Sequence, residues 1–368
     1  MTRKFSPDHV YMDLAMINND RNSRAKQVKF IESRASAIIK NPEAFHMAVA
    51  RFSIDTLTLP IWIPEIETGQ SNPNKTVYSF TLRYLDTYVG KANLEFEPTN
   101  TYEPTPQPPT QLQDMGSKYY YTYSYAKVVR MMNKTLQTAY NSMKAQIDAA
   151  PLEMSVPTTH APFLTYDPTK SEVILNADKA GYDVDTVGHI EIYMNEEMKN
   201  MLSSFESIHQ SYSDANGLHH KVAVHDDNGV NVLKLDTYDA IQMYQEWPIT
   251  GSWNPVKKIV FTTSTIPVQP TLTAKATHYG DTNISTAPSN SSVPVITDFE
   301  VSLTTGKEYK PQVNGVPNFY RFIDLIGHTE LTSVEISVFW QDIFGQLHPM
   351  ELSTGENADL KLVFVKRE

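Results

Sequence analysis

Apolar residues return at every second position in stretch after stretch of this chain. Only an extended strand with one covered face can use that rhythm. "TVYSFTLRYL" sets Tyr78, Phe80, Leu82 and Tyr84 on one side, with Ser79, Thr81 and Arg83 opposite. "DFEVSL" aligns Phe299, Val301 and Leu303, "LTSVEISVFW" aligns Val334, Ile336, Val338 and Trp340, and "DLKLVFV" aligns Leu360, Leu362 and Phe364. Alternation of this kind belongs to antiparallel sheets that hold one face in a core. Two hairpins are predicted: one turns at Asn228-Gly229 within "KVAVHDDNGVNVLKLD", the other joins "FLTYD" to "SEVILN". With 23 prolines against 14 glycines in 368 residues, the punctuation favours a sandwich or barrel over a helical bundle.

Two helices interrupt the strands. Val129, Met132, Leu136, Tyr140, Met143 and Ile147 recur at spacings of three and four, one apolar stripe about five turns long. "NEEMKNMLSSF" opens on Asn195 as an N-cap, with acids in the first turn. Neither helix sits in the regular strand–helix alternation of a parallel α/β protein. The longer one follows "SKYYYTYSY", where five tyrosines fall within Tyr119–Tyr125. Extended, that run would put Tyr119, Tyr121, Tyr123 and Tyr125 in one row, able to stack on sugars or bases. The stripe that follows must rest on something apolar, however, so these tyrosines are assigned to packing or to a subunit interface.

"EPTPQPPTQLQDMGSK" reads as an extended surface excursion and "HYGDTNISTAPSNSSVP" as a long polar loop. No internal repeat is present, and strand signals continue on both sides of every polar gap.

Cysteine is absent, which removes disulfides, thiolate metal sites and cysteine nucleophiles. No apolar run is long enough to span a bilayer, and "MTRKFSPDHV" lacks a signal-peptide core, so synthesis in the cytoplasm or nucleus without secretion is expected. On that reading the Asn-x-Ser/Thr matches at Asn74, Asn133, Asn283 and Asn290 are chance occurrences. Net charge is −11 but uneven. Residues 1–42 hold eight Lys/Arg and four Asp/Glu, whereas the remainder holds 23 and 38. The acidic body disfavours non-specific nucleic-acid binding. Arg21, Arg24, Lys26 and Lys29 form a mildly basic arm suited at most to weak contact with nucleic acid or acidic neighbouring subunits.

Motifs for catalysis do not emerge: no phosphate-binding glycine loop, no H-E-x-x-H, no G-x-S-x-G, no dinucleotide fingerprint. "TTGKEY" around Gly306-Lys307 is read as a turn. His219 and His220, with His209 and His225 nearby, form the single histidine cluster, but adjacent strand residues face opposite ways and cannot chelate one ion together. The acid pairs Glu196-Glu197 and Glu65/Glu67 show no sequence sign of sharing a cleft. No enzyme activity, cofactor or metal is expected.

Several stretches in succession carry a resemblance: "ARFSIDTLTLPIWIPEI", the tyrosine-led helix, "APFLTYDPTKSEVILNAD", "IEIYMNEEMKNMLSSF", "VKKIVFTTSTIPV" and the terminal "SVFWQDIFGQLHPMELSTGENADLKLVFVKRE". Over most of residues 43–368 their order resembles the jelly-roll minor capsid (penton) proteins of virophages and of polinton-like, adenovirus-related DNA viruses. The resemblance implies an all-β fold, an antiparallel single jelly-roll sandwich with inserted helices and long loops. It also implies a structural virion protein forming homopentamers at the fivefold vertices of an icosahedral capsid, beside the major capsid protein. Residues 1–42 would be an N-terminal arm and first strand, and 43–368 the body, with a helical insertion over about 98–160 and a polar loop over about 265–295. Alternatives are a single-jelly-roll major capsid subunit, or a carbohydrate-binding, host-attachment module using Tyr121 and Tyr123.

Overall fold

A computed structural model describes residues 8–22, 25–99, 102–110, 113–150, 155–214, 217–269, 294–300, 312–315 and 321–367. The chain begins with strands β1 (His9–Ile17), β2 (Lys26–Gln27), β3 (Lys29–Ser33) and β4 (Phe45–Asp55). Its middle supplies β5 (Lys75–Tyr84), β6 (Tyr88–Glu95), helix α1 (Tyr125–Asp148), β7 (Phe163–Asp167), β8 (Glu172–Asp178), α2 (Lys179–Tyr182) and β9 (Glu191–Asn195). There follow α3 (Glu196–Met201), β10 (Ser207–Asp214), β11 (Gly217–Val222), β12 (Val232–Lys234), β13 (Asp239–Tyr244) and α4 (Thr250–Trp253). The last part gives β14 (Lys258–Thr263), β15 (Val295–Glu300), β16 (Gln312–Gly315), β17 (Ile323–Asp324), β18 (Ser333–Gln341), β19 (Leu347–Pro349), β20 (Glu351–Leu352) and β21 (Asn357–Lys366).

These elements divide into two compact units. One takes residues 1–59, 255–302 and 309–368; the other takes 60–254 with 303–308. The helical excursion expected over about 98–160 thus falls inside a longer unit that starts directly after β4. The polar loop expected over about 265–295 lies mostly outside the described residues, as do Val301, Leu303 and the Gly306-Lys307 turn.

The first unit is a jelly roll. One sheet runs β1-β21-β4-β16; the other runs β15-β14-β18, with β3 and β19 paired along β18. Every pairing is antiparallel. In chain order the main strands cross from sheet to sheet, except at the β14–β15 pair, which gives the roll its wrapped connectivity. The alternation read from sequence fills its core: Val334, Ile336 and Val338 are fully buried and Trp340 nearly so, as are Leu360, Leu362 and Phe364. Met12 and Leu14 pair with Leu362 and Leu360, which continue to Val49 and Phe52 on β4. Phe52 lies 5.0 Å from Phe261 and 4.6 Å from Phe299, ring to ring, joining the two sheets. Each such side chain, removed from water, contributes about 1.5–3 kcal/mol.

Residues 1–42, expected as an arm with one strand, supply three paired strands, β1, β2 and β3.

The second unit holds two sheets, β10-β11-β9-β5-β6 and β12-β13-β8-β7, with α1 packed on the first. Phe80 and Leu82 pair with Ala92 and Gly90 on β6 and with Met194 and Ile192 on β9, making one apolar face. The helix comes so close there that a Cβ on Gly90 would sit 1.9 Å from the Ala139 carbonyl oxygen. All six residues of the predicted stripe are buried. The opposite face of β5 departs from expectation: Ser79 and Thr81, predicted to face solvent, are as buried as Phe80.

Asn195 caps α3 as predicted, its Oδ1 accepting from Met198 N at 3.3 Å. The β7–β8 hairpin also forms, from Phe163↔Asn176 to Asp167↔Glu172. The other expected hairpin does not. Asn228 and Gly229 make the tight turn, with φ of 51° and 82°, yet β11 pairs with β9 and β10 while β12 pairs with β13 in the other sheet. Turn geometry is local, whereas a strand's partner is chosen by which sheet face can bury it.

Candidate functional site

The tyrosine run is not an extended row. Lys118–Tyr120 form a 3-10 turn, Thr122 makes a single bridge to Trp62, and Tyr125 already starts α1. Tyr119, Tyr120, Tyr121 and Tyr125 are all buried, and Tyr123 alone of the five is exposed. Tyr119 and Tyr120 meet edge to face at 5.1 Å, and both pack on Phe96. Their hydroxyls donate to Asn74 Oδ1 and to the Pro73 carbonyl, each at 2.9 Å. Burial, with the neighbouring Tyr119 adding to it, pushes the Tyr120 phenol up to about 12, so it stays a donor. Tyr125 stacks on Tyr166 at 5.1 Å and lies 5.8 Å from Trp253. Apolar bodies packed inward, with the Tyr119 and Tyr120 hydroxyls on an amide and a backbone acceptor, make this a hinge-pin for the start of α1.

Of the basic residues, Lys26 pairs with Asp20 at 2.9 Å and Lys29, within β3, pairs with Glu335 at 2.8 Å. Arg21 is exposed in a turn, and Arg24 lies outside the described residues. Lys26 and Lys29 are thus each matched to an acid of their own.

Of the two acid pairs read from sequence, one member of each lies near the other: burial and then the charge of Glu197 raise the Glu65 carboxyl above its ordinary value. His220 Nε2 meets Glu196 Oε2 at 2.5 Å, His225 lies 3.9 Å from Glu206, Glu197 accepts from the Asn195 amide, and Glu67 pairs with Lys75 at 2.8 Å. Among the described residues no three His, Asp or Glu side chains converge on a possible metal position. No helix among them is long and apolar enough to cross a membrane.

The buried Lys221 is neutralised within its sheet. On β11, Lys221 donates to Glu191 Oε1 at 2.7 Å, and Tyr193 donates to Glu191 Oε2 at 2.8 Å. The Arg83 guanidinium lies 5.7 Å from the centre of the Tyr193 ring. Burial works to raise the Glu191 carboxyl, but these two hydrogen bonds and the charges of Lys221 and Arg83 outweigh it and hold it below its ordinary value. Burial and then Glu191 push the Tyr193 phenol up to about 12.

Sequence reasoning missed the polar residues that fasten α1. Asn133 and Gln146 each bond both backbone groups of one strand residue, Leu164 on β7 and Val89 on β6. Their one legible trait is being amides on an amphipathic helix, which is also the mark of a solvated face.

A roll of this strand order, with Tyr119, Tyr120 and Tyr125 packed inward and Lys221 paired to Glu191 within the sheet, is the architecture of a capsid-type jelly-roll protein. The chain belongs to the family described as Sputnik minor capsid protein V18/19, which matches residues 10–366. It is a minor capsid protein and a structural component of the virion. It is 31% identical over 148 residues to the uncharacterized protein V18 of Sputnik virophage, covering 39% of this chain and 89% of that one. To the structural protein V19 of Sputnik virophage it is 27% identical over 222 residues, 55% of this chain and 93% of the relative. A chain in the cryo-EM structure of the Sputnik virophage superposes with a TM-score of 0.81 at 25% identity, covering 98% of both. The crystal structure of the mavirus penton protein shares the fold, with a TM-score of 0.66 at 16% identity over 98% of this chain and all of that one.

Proposed function

We propose that this protein is the penton subunit of an icosahedral capsid, five copies closing each fivefold vertex against the neighbouring major capsid protein. The observation that carries the reading is end-to-end likeness to a protein named as a penton: 98% of this chain against all of the mavirus protein, the inserted β unit included. A single roll per chain fits a vertex, where a fivefold ring is built from one heterologous contact repeated until it closes. The net charge of −11 keeps free subunits soluble before assembly. No catalytic step, cofactor or membrane insertion belongs to this role.

The test is electron microscopy of the purified protein together with its mass in solution. Rings of five, or five-subunit mass once the major capsid protein is added, are the expected result. A particle in which this chain occupies the faces in large copy number would assign it to the major shell instead. A monomer at high concentration, with no association with the major capsid protein, would overturn the reading.

A further inference from the structure

Strand β1 lies at the edge of its sheet, and its register fixes which backbone groups are already bonded. Lys366 N donates to the Asp8 carbonyl at 2.9 Å and Asn18 N to the Glu356 carbonyl at 3.0 Å. Between them the pairing with β21 runs unbroken from His9↔Val365 to Ile17↔Asn357. Bonded and non-bonded pairs alternate in an antiparallel ladder. Val10, Met12, Leu14 and Met16 therefore bond to β21, while the N–H and C=O groups of His9, Tyr11, Asp13, Ala15 and Ile17 point out of the sheet. Among the described residues nothing bonds to these five donors and five acceptors. The same five side chains are exposed, Tyr11 at 61% and Ile17 at 62%.

Every other sheet edge among the described residues is protected in some way. β2, β17 and β20 have two residues each, β16 four, β12 three, and β19 three including Pro349. The pairings of β10 and β15 are broken by register shifts. On β6 and β7 the edge backbone is taken by Gln146 and Asn133, and β3 carries Lys29 and Glu32. β1 has nine residues, no irregularity, no proline and a single charged side chain. Natural edges are blunted unless something pairs with them.

Only an extended backbone presents donors and acceptors at the spacing of this edge, one pair per two residues or about 6.8 Å. Twofold pairing of β1 with a second copy of itself would, in the centred register, set Asp13 against Asp13, and like charges directly opposite destabilise a sheet. Asp13 already has Lys361 at 3.3 Å and Arg51 at 3.9 Å, so this face needs no further countercharge. We infer that β1 receives an extended, uncharged arm from a different polypeptide of the shell, added as an outer strand. Apolar side chains of that arm would flank Tyr11 and Ile17. The inference rests on membership in the capsid family and not on placement at the vertex.

Residue-resolved hydrogen exchange on isolated subunit, homo-oligomer and intact particle tests it. The amides of His9, Tyr11, Asp13, Ala15 and Ile17 are expected to exchange freely in the first two samples and at least a hundredfold more slowly in the particle. Free exchange in the particle, or protection in the subunit alone, overturns the proposal. Protection complete in the homo-oligomer assigns the edge to a second copy and overturns the choice of partner. Ala15→Pro removes an outward N–H and no ladder bond. It is expected to melt close to wild type and to enter particles at least tenfold less well; normal incorporation counts against the inference. If it fails to fold, Tyr11→Lys with its N–H intact replaces it, and the same drop in incorporation is expected.

Discussion

The side-chain amide of Asn133 pairs with the backbone of Leu164 as another strand would: Nδ2 donates to the Leu164 carbonyl at 2.8 Å and Oδ1 accepts from the Leu164 N–H at 2.6 Å. Gln146, almost four turns further along α1, does the same for Val89 at 2.6 and 3.2 Å. One helix thereby closes the open edges of two sheets. Truncating Asn133→Ala leaves both Leu164 groups without a protein partner and is expected to cost about 1–3 kcal/mol in urea unfolding. Gln137→Ala, on the exposed side of α1, is the control and should change stability by less than about 0.5 kcal/mol. Equal effects would deny the pairing its role.

Gly90 sets how closely α1 can approach. A methyl there would meet the Ala139 carbonyl oxygen at 1.9 Å and Met143 N at 2.6 Å, and these are backbone atoms that cannot rotate away. Gly90→Ala is expected to destabilise by about 3 kcal/mol or more, at the upper end of overpacking costs. Thermal denaturation followed by near-ultraviolet circular dichroism reads this directly through the tyrosines around α1. A melting temperature equal to wild type would show that the helix rides higher on the sheet.

Asp342 is almost fully buried at the β18–β19 turn. It accepts from Phe344 N at 2.8 Å and Gln346 N at 2.9 Å and faces His348 Nε2 at 2.9 Å. The His348 ring lies 4.3 Å from Trp340. Asp342→Ala strips the Phe344 and Gln346 N–H groups of their acceptor and should cost about 1–3 kcal/mol, the penalty of leaving buried donors unsatisfied. Chemical denaturation measures it; a loss below about 1 kcal/mol would show the turn holding without the carboxylate.

Acid should weaken the protein through identifiable carboxylates. Glu335 is held below its ordinary value by hydrogen bonds from Lys29 and Ser264. Asp298 is likewise low, because Lys258 and Arg321 outweigh the burial that opposes them, and Glu191 is low for the reasons given above. A carboxyl lowered in the folded state stabilises at pH above its unfolded value, about 4. That contribution is lost as pH falls through the folded value. The melting temperature is expected to be flat from pH 8 to about 5 and to fall below about 4. Asp298→Asn should lower it at pH 7 and make the acid slope shallower; an unchanged slope would clear Asp298 of the effect.

The alternation at Val334–Trp340 and Leu360–Phe364 could be read directly, because a strand with one covered face must repeat every two residues. The stripe from Val129 to Ile147 and the Asn195 cap were equally plain, since both depend only on neighbours three or four positions away. The Asn228-Gly229 turn was legible as well, but the strand it leads into was not. Ser79 and Thr81 looked like solvent positions and are buried, while Tyr119–Tyr125 showed their packing character but not their division between a turn, a bridge and a helix.

Local pattern was enough for the strand period, the helix face, the cap, the Asn228-Gly229 turn and the absence of thiol chemistry. Tertiary structure alone decided which strands are neighbours, how closely Gly90 lets α1 approach, and that Asn133 and Gln146 close two sheet edges while β1 stays open. Those outcomes depend on groups brought together from distant parts of the chain, and the local pattern around each residue is compatible with several of them.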